Sequence, residues 1–206
     1  MPERKRQRYG DIDYDWAHRV DTTSATVGGR SRLLGLLHTD YQPIEAELFR
    51  EMIAALKIDL RLFTFIDIGS GKGRALLLAS EYPFRRIAGI ELLPELNEIA
   101  RLNIRQFAES HDVGATSEAL CGDATEFVFP TEPLVVFLFN PLPKAELVTV
   151  IRNLEASLCR EPREAYVVYA NPVWEEIIKN SSLFTKIGGT HQYALFRHLP
   201  QSPGVE

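Results

Sequence analysis

The sequence predicts an α/β domain with a doubly wound, mostly parallel sheet of seven strands closed by an antiparallel hairpin, and three observations carry that expectation. Leu134–Phe139 is six apolar residues in a row and Ala165–Ala170 is a second such run, a pattern suited to strands covered on both faces. Such runs alternate with stretches whose apolar residues recur at helical spacing, as in parallel crossover units. Near the end, two strand-like runs flank Gly188-Gly189-Thr190-His191-Gln192, a glycine-bearing hairpin signal.

In chain order, residues 1–42 are expected to form an N-terminal arm or lid ahead of a domain spanning 43–206. The arm opens on Arg4-Lys5-Arg6 and Arg8, passes through Asp11-Ile12-Asp13-Tyr14-Asp15 and reaches Gly28-Gly29 with little periodicity. Its basic run reads as a solvated terminus rather than a nucleic-acid contact, given the acidity of the whole chain. Tyr41-Gln42-Pro43 opens a helix, because proline suits a first turn, with Ile44, Leu48, Met52 and Ala55 near one face. The first strand lies in Leu62–Ile68. A glycine loop follows, then a helix over Arg74–Ser80 that Pro83 stops, and a strand over Ile87–Ile90. Pro94 starts a helix carrying Leu96, Ile99, Ala100, Asn103 and Phe107 on one side, which ends before Gly114. A short strand, Ala119–Cys121, leads into Gly122-Asp123-Ala124. The fourth run, Leu134–Phe139, ends at Asn140-Pro141-Leu142-Pro143, and the next helix carries Leu147, Ile151, Leu154 and Leu158 on one stripe. Ala165–Ala170 ends at Asn171-Pro172, and Trp174 opens a short helix. Leu183–Ile187 and Tyr193–Arg197 form the closing pair.

The stretch Phe65-Ile66-Asp67-Ile68-Gly69-Ser70-Gly71-Lys72-Gly73-Arg74 organises the rest. Glycines here let the chain turn sharply at a strand end, approach a ligand closely and pack the next helix. A dinucleotide fingerprint would need its third glycine at position 74, where Arg74 stands. A P-loop would need glycine at 66 and Ser or Thr at 73, where Ile66 and Gly73 stand. What remains is D-x-G-x-G-x-G with an acid at the strand tip, Asp67, and a second acid, Glu91, at the tip of the next strand. The same glycine turn also occurs in α/β proteins that bind no cofactor, and the two acids are what favour a ligand site.

This pattern resembles motif one and the acidic residue of the class I S-adenosyl-L-methionine (SAM)-dependent methyltransferases, over about Pro43 to the C-terminus. The resemblance implies a Rossmann-like methyltransferase fold with its switch point between the first and fourth strands, and SAM as cofactor. It implies that Asp67, Gly69, Ser70, Gly71 and Gly73 line the site, that an acid near the loop pairs with the α-ammonium, and that Glu91 accepts the two ribose hydroxyls. Asp123 matches the acid that bonds the adenine amino group, or is a helix cap, or both. Tyr41 either borders the cofactor or packs where its helix begins. Asn140-Pro141 resembles the start of the Asn-Pro-Pro-aromatic loop of amino methyltransferases, in which the Asn amide oxygen and the next carbonyl aim an amine lone pair. Position 142 is Leu and 143 is Pro, so the aromatic for a flipped base is missing and adenine in nucleic acid is disfavoured. The glycine loop is also similar to that of the non-SET lysine methyltransferases. Asn140 is either catalytic or an ordinary strand exit, and Asn171-Pro172 repeats the pattern.

Composition sets the outer bounds. At 206 residues, 45% hydrophobic and 25% charged, with no apolar run of membrane-spanning length, the chain reads as one soluble, cytoplasmic domain. A net charge of −5 argues against strong nucleic-acid or membrane binding. Cys121 and Cys159 make no C-x-x-C pair and the five histidines are scattered, so no metal is expected. The expected activity is methylation of a nitrogen on a protein side chain, such as lysine, or on a small-molecule amine; the alternative is a non-catalytic SAM-binding partner or sensor.

Overall fold

Strands that are apolar on both faces need a helical layer on each side, and the chain supplies both. The computed structural model describes residues 12–23, 43–139 and 142–200. Within them one sheet contains β1 Thr64–Ile68, β2 Arg86–Glu91, β3 Ser117–Cys121, β4 Leu134–Phe139, β5 Ala165–Ala170, β6 Thr185–Gly189 and β7 Tyr193–His198. Its order is β3-β2-β1-β4-β5-β7-β6. The first five strands are parallel, and β7 lies antiparallel between β5 and β6. The order reverses between β1 and β4, which is the expected switch point, and ligands of such sheets bind at the carboxyl ends there.

Among the described residues the helices are α1 Ile12–His18, α2 Ala46–Leu56, α3 Arg74–Ser80, α4 Pro94–Ser110, α5 Lys144–Arg160 and α6 Glu175–Lys179. One core joins Phe65, Val135 and Phe137 of the sheet to Phe49, Leu76, Ala100 and Phe107 from α2, α3 and α4. The other joins Ile66, Ile68, Val136 and Leu138 to Leu147, Ile151 and Leu154 of α5 and Ile178 of α6. Successive residues of β1 and β4 thus enter opposite cores, the period of two that a pleated strand imposes.

Three expectations need correction. β1 begins only at Thr64, because Leu60–Leu62 winds into a 3-10 turn that Asp59 caps, leaving Leu62 58% exposed. Pro43 stays outside α2, whose buried face is Phe49, Met52, Ile53 and Leu56, the i, i+3, i+4, i+7 set, with Leu48 and Ala55 at its margin. β6 starts at Thr185 rather than Leu183 and runs on through Gly188 and Gly189, with a register irregularity between Lys186 and Gly188. A side chain at Gly189 would place its Cβ 2.4 Å from the Tyr193 carbonyl oxygen, so the glycine admits strand β7 rather than making the turn. In the described part of the N-terminal segment, residues 12–23, α1 contributes Tyr14 to the core and Val20 follows it beside α4. Tyr41 lies outside the described residues.

Candidate functional site

At the carboxyl end of β1 the backbone enters the left-handed region three times, at Gly69, Gly71 and Gly73 with φ of 73°, 53° and 85°. A side chain at any of these would be strained. The Gly69 and Ser70 N–H groups both donate to the Ile90 carbonyl, at 2.9 and 3.0 Å, which holds the loop over β2. Close approach explains Gly89 of β2, a residue that sequence reasoning passed over. A Cβ there would fall 2.6 Å from the Ser70 Cβ. Ser70 therefore packs its side chain on β2, and its hydroxyl is buried with no partner among the described residues.

The two acids come together as expected. Asp67 sits in register with Gly89 of β2 and Phe137 of β4, and Glu91 is the last residue of β2. Glu91 is 8% exposed; Oε2 accepts the Gly71 N–H at 2.8 Å and Oε1 the Leu93 N–H at 2.9 Å. The carboxylate thus fastens the loop to the next strand, and each oxygen keeps a second lone pair. Burial pushes its pKa up, against the pull of those backbone donors. Asp67 is 4% exposed and has no hydrogen-bond partner among the described residues; burial, and then the charge of Glu91, push it up to about 8. Two buried acids, one without a donor, suit a ligand that brings a cation and hydroxyl donors.

Beside them, the Gly122 N–H donates to the Glu91 carbonyl at 3.0 Å and brings the β3 exit to the site. Asp123 caps the 3-10 turn that follows, its Oδ1 accepting from the Thr125 N–H at 2.8 Å and hydroxyl at 2.7 Å. Its exposed Oδ2 is unused among the described residues, so capping leaves the residue able to bind. Asn140 and Pro141 lie outside the described residues. Asn171 has a local structural role: it adopts φ 47° and its N–H donates to the Gln192 carbonyl at 2.7 Å.

Lys72 and Arg74, the two cations of the loop, turn away to the N-terminal segment. Lys72 Nζ donates to Asp21 Oδ1 at 2.6 Å and to the Thr23 carbonyl at 2.9 Å, and Arg74 Nη2 donates to Asp15 Oδ1 at 3.1 Å. Sequence reasoning missed these partners, though a polar Asn103 on the apolar stripe of α4 was a usable signal. A separate cleft of about 390 Å³, lined by Leu56, Phe63, Glu164, Tyr166 and Arg197, opens at the amino ends of the strands, away from the loop. Among the described residues no cluster of His, Cys, Asp and Glu is arranged to hold a metal, and no helix is long and apolar enough to cross a membrane.

No protein-family model matches the chain, and no curated protein matches it. Solved structures do. Magnesium protoporphyrin IX methyltransferase from Synechocystis PCC 6803, with bound SAM, is 11% identical with a TM-score of 0.51, over 75% of this chain and 77% of that one. Ribosomal protein L11 methylase from Lactobacillus delbrueckii subsp. bulgaricus is 15% identical with a TM-score of 0.52, over 76% and 77%. The 23S rRNA methyltransferase ErmE is 11% identical with a TM-score of 0.52, over 78% and 70%. At such identities the likeness is one of fold.

Proposed function

We propose that this chain, whose fold is that of the class I SAM-dependent methyltransferases, binds SAM at the Asp67–Gly73 loop and Glu91 and methylates a nitrogen on a protein side chain or a small molecule. The observation that carries the reading is the pair of buried acids, Asp67 without a donor and Glu91 with lone pairs to spare. A second observation supports it: Lys72 and Arg74 are engaged elsewhere, so the loop offers no side-chain cation to a phosphate.

When bound, SAM supplies an electrophilic methyl on a sulfonium. The protein's work is then to hold and align, with the acceptor in line and water excluded. Asp67 would pair with the α-ammonium, Glu91 would accept from the ribose hydroxyls, Asp123 Oδ2 would accept from the adenine amino group, and Tyr41 would border the cofactor as the family resemblance implies. Asn140 and the Pro141 carbonyl accept from the attacking amine and aim its lone pair. The similar structures include enzymes for a tetrapyrrole, a ribosomal protein and ribosomal RNA, so the fold leaves the acceptor open. Asn140 is what favours an amine.

Calorimetry is the direct test: SAM and S-adenosylhomocysteine are expected to bind, and NAD and ATP are not. Binding of NAD or ATP as tight as that of S-adenosylhomocysteine would overturn the reading. Conversion of SAM to S-adenosylhomocysteine with lysine peptides or polyamines separates an enzyme from a binding protein. Glu91→Ala should weaken SAM binding by about 1.5–3 kcal/mol through the lost ribose bonds. Because the Gly71 N–H also loses its acceptor, the variant should be less stable by about 1–3 kcal/mol in denaturant titrations. Unchanged affinity in a folded Glu91→Ala protein would remove Glu91 from the ribose site.

A further inference from the structure

Buried cations persist only when paired, and two of them flank Gly73. Lys72 is 5% and Arg74 2% exposed. Every partner that the described residues give their side chains comes from Tyr14–Thr23. Lys72 Nζ holds Asp21 and the Thr23 carbonyl. Arg74 Nε donates to Thr22 Oγ1, its Nη2 donates to Asp15, and its guanidinium carbon lies 4.0 Å from the Tyr14 ring centre. Asp15 is the hub, because its Oδ2 also accepts the N–H groups of Thr22 and Thr23, at 2.7 and 2.8 Å. Asn103 of α4 closes the circuit: Nδ2 donates to the Asp21 carbonyl at 2.8 Å and to the Lys72 carbonyl at 2.9 Å, and Oδ1 accepts the Asp21 N–H at 2.9 Å. The glycine loop is therefore gripped from two sides, by Glu91 at Gly71 and by this N-terminal strap at residues 72 and 74.

From this geometry we infer that the strap Ile12–Thr23 is energetically coupled to the cofactor loop, with Asp15 as the positioning residue that sets the loop through Arg74. The inference rests on the proposal that the loop binds SAM. A strap that favours the binding conformation of the loop raises cofactor affinity, and by linkage a bound cofactor tightens the strap to the same degree. Asp15 carries this coupling from outside the group of residues proposed to hold the ligand.

The probe is S-adenosylhomocysteine, with the full chain throughout. Asp15→Asn keeps the shape and removes the charge and one acceptor, so its affinity should fall by roughly 5- to 150-fold, the usual range for coupled sites. Its far-UV dichroism should stay that of the parent, because the strap lies outside the sheet. Lys72→Met, which cuts the strap at a different point, should weaken binding in the same direction. In the parent protein, saturating ligand should slow amide exchange at Thr22 and Thr23, a change that a merely structural strap would not show. Affinity of Asp15→Asn within about twofold of the parent, or exchange at Thr22 and Thr23 unmoved by ligand, overturns the coupling. If Asp15→Asn fails to fold, Lys72→Met and the exchange measurement decide. Failure of the parent itself to bind S-adenosylhomocysteine sinks the SAM reading, and the coupling with it; a parent that binds while the variants bind equally well sinks the coupling alone.

Discussion

Asn140→Ala is expected to slow methyl transfer by roughly 10²- to 10³-fold while leaving SAM affinity nearly intact. The residue follows Phe139, the end of β4, and β4 pairs directly with β1, with Leu138 in register with Ile68 at the edge of the glycine loop. In the proposed site, an acceptor amine aimed from that position in the chain would meet the cofactor beside the switch point. A hydrogen bond made chiefly in the transition state is worth about 2.7–4 kcal/mol by analogy with a single oxyanion-hole donor, which sets the size of the loss. Cofactor binding should be spared, since the residues proposed to hold SAM are Asp67, Glu91 and Asp123. An Asn that only shaped the strand exit would behave otherwise: stability and cofactor binding would fall together, and the rate per folded molecule would hold. Single-turnover kinetics with a lysine peptide or polyamine separate the two. Turnover of Asn140→Ala at the parental rate would dismiss the amine-orienting role. The amine would then have to be aimed by the N-terminal segment or by Asn171, whose backbone N–H donates to the Gln192 carbonyl at the exit of β5.

Asp67→Asn should change stability and binding in opposite directions. In the folded chain burial, and then the charge of Glu91, push its pKa up to about 8, above the usual carboxylate value of 3.8. Between those values the folded protein holds a proton that the unfolded chain has released, so stability falls as pH rises through the window. The slope is up to about 1.4 kcal/mol per pH unit, or as much as about 4 kcal/mol between pH 5 and pH 8. Below the lower value the contribution is fully present, and above the upper one no more is lost. Asn has no proton to lose, so the variant should hold its stability across the window and exceed the parent at pH 8. Glu91, also raised by burial, keeps some of the same trend in both proteins. Ligand binding runs the other way. Under the proposed pairing of Asp67 with the α-ammonium the carboxylate form is the one that binds, so parental affinity for S-adenosylhomocysteine should rise with pH between 5 and 7, and that of Asp67→Asn should be lower and nearly flat. Denaturant titrations and calorimetry across pH provide both readouts. Identical pH profiles for parent and variant would mean that Asp67 is an ordinary ionised acid and no cation receptor.

Much of the site was legible because its causes are local. Three glycines in alternate positions after an apolar strand meet a steric demand, three left-handed residues in five, that few other residues satisfy. Glu91 was legible as a strand-tip acid, and its bond to Gly71 was not, because that bond depends on how far the loop folds back over β2. Gly89 carried no signal either. Its reason is Ser70, nineteen positions earlier and on a different element.

The sequence by itself determined the architecture: β4, β5 and α3 have the bounds that their apolar runs predict, and an antiparallel pair closes the sheet, although Gly188 and Gly189 lie within β6 and not in its turn. Burial on two faces and helical periodicity write themselves into consecutive residues, so they can be read without coordinates. Only the tertiary structure decided what the charges do. Lys72 and Arg74 sit within the loop motif, yet their partners Asp21 and Asp15 lie 51 and 59 residues away, and Asn103 meets Asp21 across 82. A buried ion pair needs only that its two ends arrive together, and no spacing rule records it. Helix α1 follows from the same cause, since a seven-residue segment is too short to be helical alone and takes its stability from the core and the cations it docks against.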